Sequence, residues 1–370
     1  MKSPTSKENR MTFNRRTFLV GGAASAVASI STLALAANPC STPTSWNKTY
    51  DVIVIGSGGT GLSASIVAKE IGANTVVLEK LSIPGGNTMV SGGGLNSTVE
   101  ADYKKAGIED SPQLHTKQTI AAGDYRADPA LVATLCENAP QNLEWLKKVG
   151  VQFKPDIYQI YGGLWPRCRN PVGQSGGDYI KACMSYANKI GLPVLTNHKI
   201  FGIIREKPDA GRVLGVEVEL KDGKKEFWKA NKAVVAAAGG FAANPTMCSY
   251  FDPRLTKLNT MNQPRSTGEV LKYIQGNGGL AVGLDFIQCI PWTAPGCKHT
   301  ADIFQAIEYT FFLNKEGKRY VAEDARRDVI RDATLAQTGQ TVFPVCDTDG
   351  FDKNNEYYNE VNYLGLKAEA

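Results

Sequence analysis

A glycine motif between an apolar strand and a helix constrains the fold of this chain more than any other feature of its 370 residues. Residues 51–55 form a short, almost continuous apolar run, which is typical of a buried parallel strand. Gly56, Gly58 and Gly61 follow with the spacing G-x-G-x-x-G, and residues 62–71 place apolar side chains at helical intervals. This order predicts the first strand and helix of a βαβ unit.

The residues after the helix complete the pattern of a dinucleotide-binding fold. A second apolar strand over residues 75–78 ends at Glu79, whose carboxylate can accept hydrogen bonds from a ribose diol. In such a unit Gly56 permits the tight turn, Gly58 lets the backbone approach a diphosphate, and Gly61 lets the helix pack closely on the strand. The N–H groups and the dipole at the helix N-terminus attract phosphates. The alternative is a β–turn–α unit with incidental glycines and no ligand.

A second glycine-rich segment follows this unit. Residues 84–96 read PGGNTMVSGGGLN. Glycines at this density indicate backbone pressed against a flat ring or a phosphate, where no side chain fits. The alternative is an irregular loop without a ligand.

Together these segments resemble the fumarate reductase/succinate dehydrogenase flavoprotein family, and within it the soluble flavocytochrome c type. The matching stretches read GSGGTG, VVLEK, GGNT and SGGGLN. The resemblance implies an α/β fold in which a Rossmann-type FAD-binding domain carries an inserted α+β capping domain. It also implies non-covalent FAD, with SGGGLN near the isoalloxazine ring. The implied FAD-binding residues are Gly56, Gly58, Gly59, Gly61, Glu79, Lys80, Gly86, Asn87, Thr88, Ser91, Gly93, Gly94, Ile200, Ala238, Gly239, Gly240 and Glu269.

The resemblance continues along the chain. Residues 128–153 match a family segment and are expected to form an amphipathic helix pair, and residues 162–180 match a loop and helix that lie over the flavin. Residues 200–228 indicate strands with a hairpin at an Asp-Gly dipeptide. Residues 233–240 read AVVAAAGG and predict a buried strand that ends in a second FAD motif. Residues 267–269 resemble a Thr-Gly-Asp element, with glutamate in place of aspartate.

The resemblance also sets the expected domain boundaries. The expected segments are a signal peptide over 1–36, a linker over 37–49, an FAD-binding domain over 50–285 and a capping domain over 286–370. In the family, residue 370 falls midway through the capping domain. We therefore expect the C-terminal part of the FAD-binding domain, and part of the cap, to be missing from this chain.

The expected proton donor is Arg327. The segment NKEGKRYVAEDARRDV, residues 314–329, resembles the family element that supplies this donor from the capping domain. The resemblance implies that hydride passes from N5 of reduced FAD to the β-carbon of an enoate, and that Arg327 protonates the α-carbon. Arginine has a pKa above about 12 in water, but it can protonate a carbanion and stabilise that charge in a dry pocket. Alternatively, Arg326 and Arg327 are surface cations paired with Glu323 or Asp324.

Three departures from the family pattern concern the substrate. Ile290 stands where fumarate-reducing relatives carry a histidine, and Ile303 and Ala306 stand where they carry a proton relay, for which Glu308 is a possible substitute. Gly162-Gly163 replaces a common Gly-His pair. A less polar pocket favours another enoate, such as an aromatic or methylated acrylate, over fumarate alone.

The N-terminus predicts export. Arg15 and Arg16 precede an apolar run over residues 18–35, and the small-residue pattern ends at Ala36. The twin arginines resemble the signal of the twin-arginine (Tat) pathway, which implies the Tat export machinery and a periplasmic location. The alternative is an N-terminal membrane anchor. Most of the net charge of +5 lies in this segment, so the remainder gives no reason to expect nucleic acid as a partner.

The cysteines indicate neither a haem nor a metal site. The chain has eight, without a CxxCH motif or a metal-like pair. An enzyme of this type then needs a separate cytochrome c or a quinol-linked electron donor. Disulfide pairing stays open.

Three functions remain open from the sequence. The first is an exported, FAD-dependent reductase of a small unsaturated carboxylate. The second is a truncated flavoprotein that binds FAD without turnover of its own. The third is a flavin enzyme like the ketosteroid dehydrogenases, for which Tyr309 and Tyr320 would supply the acid and base.

Overall fold

A central mixed sheet organises the chain in the computed structural model, which describes residues 42–160, 163–208, 210–290 and 307–353. In chain order, the strands are β1 (Lys48–Ile55), β2 (Thr75–Leu78), β3 (Leu95–Asn96), β4 (Cys168–Arg169), β5 (Val194–Leu195), β6 (Lys199–Lys207), β7 (Ala210–Glu219), β8 (Lys225–Ala236), β9 (Thr310–Asn314) and β10 (Val342–Cys346). Six of them form one sheet in the order β5-β2-β1-β8-β7-β6, while β3 pairs with β4 and β9 with β10. This is the predicted α/β architecture.

The parallel half of the sheet is the predicted βαβ unit. Strand β1 pairs in parallel with β2 and β8, and β2 pairs in parallel with β5. All four residues of β2 are buried, as are Val52 to Ile55 of β1. Apolar strands buried on both faces are what a parallel sheet covered by helices requires. The continuous apolar runs in the sequence therefore predicted these two strands correctly.

Helices cover this sheet. In chain order they are α1 (Gly59–Glu70), α2 (Gly86–Met89), α3 (Glu100–Ala106), α4 (Pro112–Ala122), α5 (Pro129–Lys148), α6 (Gly177–Lys189), α7 (Pro245–Phe251), α8 (Glu269–Gly276) and α9 (Arg327–Leu335). Helix α1 packs against α6 and buries Leu62 and Ile66 completely. It begins three residues before the predicted start because the glycine bend leads directly into its first turn.

The predicted helix pair over residues 128–153 is wrong, because the structure has one helix there. Helix α5 runs for 20 residues, and the Asp128 side chain caps it by accepting a hydrogen bond of 2.8 Å from the Ala130 N–H. Its buried residues lie three or four positions apart and form one uninterrupted apolar face, which a break would disrupt. Pro140 is accommodated inside the helix. The buried residues of this face are Val132, Cys136, Ala139, Leu143 and Leu146.

The hairpin predicted within residues 200–228 is confirmed, but the burial predicted for residues 233–240 is wrong. Strands β7 and β8 are antiparallel around a turn that contains Gly223 (φ +83°). Their pairing ends at Gly215 and Lys229, so the last part of β8 pairs only with β1 among the described residues. Ala233 and Ala236 are exposed, Ala236 in the lining of the cavity described below, and the two valines between them are partly buried.

Residues 307–353 form a small unit, named here the cap fragment. Strands β9 and β10 pair in an antiparallel ribbon, and Phe312 and Ile330 form its buried core with α9. After β9, the Asn314 side chain accepts hydrogen bonds from the backbone N–H groups of Glu316 and Lys318 in a turn that contains Gly317 (φ +71°). The segment 314–329, which resembles the family's donor element, therefore begins in a tight turn after β9 and leads into α9.

Several predictions lie outside the described residues. They are the signal peptide over 1–36, the start of the linker, Gly162, Ile303 and Ala306. Among the described residues, none of the helices has the length and apolar character needed to span a membrane. The same residues contain no group of three or more His, Cys, Asp or Glu side chains arranged to hold a metal ion.

Candidate functional site

A cavity of about 390 Å³ opens at the carboxyl ends of β1, β2 and β8. In open α/β sheets this is the edge where ligands bind. The cavity is lined by the glycine bend after β1, the acidic end of β2, the start of α2, the double-glycine end of β8 and the segment 263–271. The lining includes most of the residues predicted from sequence, which are Gly56, Gly58, Gly59, Glu79, Lys80, Gly86, Asn87, Thr88, Ile200, Ala238, Gly239 and Glu269.

The bend after β1 requires glycine at two points and leaves open space at a third. Gly56 has φ +98°, and a Cβ built on it would lie 2.5 Å from the Ala237 carbonyl oxygen. A Cβ on Gly61 would lie 1.9 Å from the Gly56 carbonyl oxygen, so α1 can approach the bend only without that side chain. A Cβ on Gly58 would have its nearest neighbour 3.7 Å away, in the wall of the cavity. A ligand can therefore approach the backbone at Gly58.

The N-terminus of α1 faces the same cavity. Gly59 donates its N–H to the Thr88 hydroxyl at 3.0 Å, which ties the helix start to α2. Thr60 also lines the cavity, in the first helical turn where backbone N–H groups have no intrahelical acceptor. Such groups, together with the helix dipole, favour an anionic ligand at this position.

The Glu79 carboxylate, at the end of β2, is held by hydrogen bonds from Ser57 and Leu81. The residue is only 6% exposed, and its Oε2 accepts hydrogen bonds from the Ser57 hydroxyl at 2.7 Å and the Ser57 N–H at 3.0 Å. Its Oε1 accepts one from the Leu81 N–H at 2.9 Å. Each carboxylate oxygen can accept about two hydrogen bonds, so Oε1 keeps one position for a ribose hydroxyl. Ser57 was not predicted as a site residue because it occupies a variable position of the glycine motif.

The segment 263–269 forms the opposite wall of the cavity. Asn87 donates its side-chain N–H to the Ser266 hydroxyl at 3.1 Å, and its Oδ1 accepts from the Gln263 N–H at 2.7 Å. Lys80 forms an ion pair of 3.1 Å with Glu269 and also donates to a backbone carbonyl of this segment. Burial by itself would raise the pKa of Glu269, but hydrogen bonds from Thr267 and the Glu269 backbone, together with Lys80, lower it below its ordinary value.

His198 lines the cavity beside Ile200, and its role was not predicted from sequence. Its Nδ1 lies 2.7 Å from the Thr196 carbonyl oxygen, and because a carbonyl only accepts, Nδ1 is the donor. In the neutral ring this bond leaves Nε2 as an acceptor. The ring packs edge-on against the fully buried Trp228, with centroids 5.5 Å apart.

Five predicted residues lie outside the cavity lining. Besides Gly61, they belong to the loop after α2 and to the end of β8. A Cβ on Gly93 would lie 2.7 Å from the Ser175 carbonyl carbon, and one on Gly94 would lie 2.8 Å from the Cys168 sulfur. The second glycine cluster is thus pressed against neighbouring backbone and β4. The five residues are Gly61, Ser91, Gly93, Gly94 and Gly240.

The chemistry of the residues that line this cavity suits a dinucleotide. The glycine bend offers open backbone and a helix N-terminus for the diphosphate, and Glu79 offers an acceptor for the ribose. At the far end, Gly239 has no atom within 4 Å of a built Cβ, so a flat ring can approach the main chain there. The cradle is therefore present in the chain's own residues.

Arg327 and its neighbour Arg326 differ sharply in their contacts. Arg326 binds Asp124 at 2.7 Å and Asp328 at 2.8 Å. Arg327 is the first residue of α9 and is partly buried, and its side chain forms no hydrogen bond or ion pair with the part of the chain that is described. Glu323, a proposed surface partner, accepts from Arg319 at 2.6 Å instead. Arg327 does not line the nucleotide cavity.

Four other residues were considered from the sequence for substrate binding or acid–base chemistry, and their exposure and contacts are as follows. Ile290 is 38% exposed, and Glu308 is exposed in a single turn of 3₁₀-helix before β9. Tyr309 is 38% exposed. The Tyr320 hydroxyl shares a hydrogen bond of 2.9 Å with Thr334, and burial raises the pKa of Tyr320. Tyr320 is thus committed to packing within the cap fragment.

Comparison with known proteins identifies the family. The model of the FAD binding domain family matches residues 51–354. The chain belongs to this FAD-binding family. The fumarate reductase (cytochrome) of Shewanella frigidimarina is 32% identical over 303 residues, which are 81% of this chain and 52% of that protein. The urocanate reductase of Eggerthella lenta is 33% identical over 308 residues, which are 82% of this chain and 50% of that protein.

Solved structures show the same FAD-binding fold. The open conformation of a flavocytochrome c3 fumarate reductase matches with a TM-score of 0.75 and 24% identity, over 97% of this chain and 60% of that one. The resemblance to the fumarate reductase flavoproteins is therefore confirmed, as is the Rossmann-type fold. The chain spans about half the length of the curated relatives that it matches.

Proposed function

We propose that this protein is an FAD-dependent oxidoreductase that reduces the C=C bond of a small α,β-unsaturated carboxylate. The observation that carries the proposal is the nucleotide cavity at Gly56 to Gly61 and Glu79, in a chain that belongs to an FAD-binding family. The similarity to fumarate and urocanate reductases supports the substrate class, since both substrates named there are unsaturated carboxylates.

The chain's own residues would divide the work between binding and proton delivery. The N-terminus of α1 and the open backbone at Gly58 would hold the diphosphate, while Glu79 Oε1 would accept from the ribose. When bound and reduced by the electron donor, FAD would supply the hydride. Arg327, partly buried and unpaired in the described part of the chain, would stabilise the negative charge that develops on the substrate and deliver the proton to its α-carbon.

Non-covalent attachment of FAD is part of this proposal. The cavity wall would hold the ligand by backbone N–H groups, the Glu79 carboxylate and the imidazole of His198, whose Nδ1 donates to the Thr196 carbonyl. Acid precipitation of the purified protein tests the attachment. All of the flavin should remain in the supernatant, whereas flavin that stays in the pellet would show a covalent bond.

The substrate is proposed to be less polar than fumarate. Ile290, which stands where fumarate-reducing relatives have histidine, cannot hold a second carboxylate. A monocarboxylate with a methyl or aromatic group suits such a pocket better. We expect methacrylate, cinnamate or urocanate to give a higher kcat/KM than fumarate.

The electron donor and the location are proposals from sequence. The absence of a CxxCH motif favours a separate cytochrome c or a quinol-linked donor. Arg15 and Arg16 before an apolar run support export by the twin-arginine pathway to the periplasm. Fractionation of cells that carry the gene should recover the protein with periplasmic markers, and replacing both arginines by lysine should retain it in the cytoplasm.

The decisive experiment is an activity assay with matched variants. The full chain is purified, its flavin spectrum is recorded, and oxidation of a reduced viologen is followed with fumarate, methacrylate, urocanate and cinnamate. Arg327→Ala should lower kcat at least about 100-fold, the size expected when a general acid is lost. Lys318→Ala, which removes an exposed cation from the same fragment, should leave kcat unchanged. Turnover that survives Arg327→Ala would contradict the assignment of the proton donor.

A second function is favoured by one observation. This second candidate is an FAD-binding protein without turnover of its own, since the cavity at Gly56 to Gly61 accounts for cofactor binding alone. In that case the purified chain would be yellow but inactive with all four substrates.

A further inference from the structure

One surface turn contacts the cap fragment and the segment that leads toward it. The turn Ala122–Arg126 joins α4 to α5 and lies some 200 residues before α9 in sequence. Asp124 binds both Nη atoms of Arg326, at 2.7 Å and 2.9 Å. Two residues further on, Arg126 forms an ion pair of 2.9 Å with Asp285 and lies over the Phe286 ring at 4.1 Å. The turn thus holds both the start of the predicted capping domain and the helix that carries Arg327.

Arg326 is bound through its whole guanidinium. Its Nε donates to Asp328, its Nη1 donates to the Ala122 carbonyl and Asp124, and its Nη2 donates to Asp124 and Asp328. All five N–H donors of an arginine are therefore used. The side chain of the adjacent Arg327 has no hydrogen-bond or ion-pair partner among the described residues. One arginine is fully committed to holding the helix start, and its neighbour is left available.

The backbone of the turn is shaped for this contact. Asp124 and Tyr125 have φ values of 53° and 56°, in the left-handed region that non-glycine residues rarely adopt. Two successive residues in this region persist only where the surrounding contacts hold them. The conformation presents the Asp124 carboxylate to Arg326, whose Nη1 also binds the carbonyl of Ala122 in the same turn.

We propose that Asp124 is a positioning residue for Arg327, acting through Arg326. The proposal rests on the proposed function, because it assigns Asp124 an effect on proton delivery. The first residue of α9 has no preceding helical turn to hold it, so a bidentate contact at residue 326 fixes where Arg327 stands. Both partners are partly exposed, with side-chain exposures of 41% and 60%, so the pair affects the position of the helix start more than overall stability.

Asp124→Asn is the sharpest test, because asparagine keeps the shape and tolerates the left-handed conformation while it removes the charge. We expect kcat with the preferred enoate to fall about tenfold, as for a misaligned catalytic group, while KM stays within about twofold. Glu144→Gln is the matched control, since it removes one carboxylate from an exposed ion pair on α5 that does not involve the cap fragment. Its kcat should equal that of the wild type.

A double-mutant cycle shows whether Asp124 acts through Arg326. Arg326→Gln should lower kcat about as much as Asp124→Asn. The kcat of the double variant should be no lower than that of the less active single variant. Raising the salt concentration from ~0.05 M to ~0.5 M should lower kcat of the wild type more than that of Asp124→Asn, because exposed charges are screened. If the fold-decreases in kcat of the two single variants multiply in the double variant, the two residues act independently and the proposal is wrong.

Hydrogen exchange separates this proposal from the proposed function. In Asp124→Asn the backbone amide of Ile330, which donates to the Arg326 carbonyl at 3.0 Å and so closes the first turn of α9, should exchange about tenfold faster than in the wild type or Glu144→Gln, whether or not the chain turns over substrate. If the wild type is inactive but amide exchange in α9 is faster in Asp124→Asn, the proposed function is wrong, while the role of the Asp124–Arg326 contact in holding the start of α9 is supported. If α9 exchange is unchanged, or kcat is unchanged in an active protein, Asp124 does not position Arg327.

Discussion

Ser57 and Glu79 are joined by two hydrogen bonds, from the Ser57 hydroxyl at 2.7 Å and its N–H at 3.0 Å to the same carboxylate oxygen. Both residues are buried, at 0% and 6% exposure, and they belong to different strand ends. The contact fixes the acidic residue at the end of β2 against the glycine bend after β1. The orientation of the Glu79 carboxylate is therefore set by the chain's own contacts, as its proposed role as an acceptor for a ribose hydroxyl requires.

Ser57→Ala should weaken this arrangement without removing the acid. The change leaves Glu79 with one fewer donor in a buried site, which costs about 1–3 kcal/mol of unfolding free energy. We expect a lower urea midpoint and an FAD dissociation constant raised about tenfold, because Glu79 is held less firmly when only the backbone N–H groups of residues 57 and 81 remain as donors. Equilibrium unfolding and fluorescence titration with FAD measure the two effects. Unchanged FAD affinity would show that Ser57 does not preorganise Glu79.

Gly56→Ala should destabilise the fold itself. Its Cβ would lie 2.5 Å from the Ala237 carbonyl oxygen at a φ of +98°, so both steric overlap and backbone strain contribute, about 3 kcal/mol or more in total. Gly72→Ala provides the control, since φ is +88° there but no atom lies within 4 Å. Gly72→Ala should lower the unfolding free energy only by the cost of placing alanine at a positive φ, about 1–2 kcal/mol. Equal unfolding midpoints for the two variants would count against the packing at Gly56.

Gly58→Ala should separate folding from binding. The new methyl group meets no atom closer than 3.7 Å and Gly58 has an ordinary φ of −70°, so the unfolding midpoint should stay close to that of the wild type. The methyl group would instead occupy the space in which the diphosphate approaches the backbone. We expect the variant to be purified folded and with less than about a tenth of the wild-type flavin. If Gly58→Ala retains as much flavin as the wild type, the diphosphate does not bind at Gly58.

Glu269 gives a pH-dependent prediction. Its pKa is lowered in the folded chain, where hydrogen bonds from Thr267 and the backbone and the ion pair with Lys80 outweigh the effect of burial. A lowered pKa stabilises the fold above the unfolded-state pKa, near about 4.3 for glutamate, and that stabilisation is lost as the pH falls through the folded-state pKa. Glu269→Gln should therefore be less stable than the wild type at pH 7, by under about 1 kcal/mol because the pair is partly exposed. Urea midpoints compared at pH 7 and below pH 4 should converge, and a constant difference would argue against the ionised pair.

Local patterns in the sequence were sufficient for the centre of the fold. The strand over 75–78 and the glycine bend were predicted because their signals, apolar runs and glycine spacing, depend on neighbouring residues only. The single helix α5 was misread as two, although its apolar residues follow one helical face without a break. The exposure of Ala233 and Ala236 could not be predicted, because it depends on which distant elements cover the faces of β8, and residues 233–236 carry no local signal for that.

The candidate site was predicted in part for the same reason. Motif residues such as Gly58 and Glu79 line the cavity as expected, whereas Ser57 and His198 were missed. Ser57 occupies a variable position of its motif. His198 precedes β6 and reaches the cavity only because β5 pairs with β2 and places the turn between β5 and β6 at that edge. Contacts made across such sequence distances leave no local signal.

Flavin analysis of the purified 370-residue chain tests the central claim, a dinucleotide cradle at Gly56 to Glu79, most directly. After equilibration with FAD and removal of the excess, the chain should retain about one FAD per molecule, released by acid, and Gly58→Ala should retain little. A folded wild-type chain that retains no FAD, or that retains as much after Gly58→Ala, would contradict the claim.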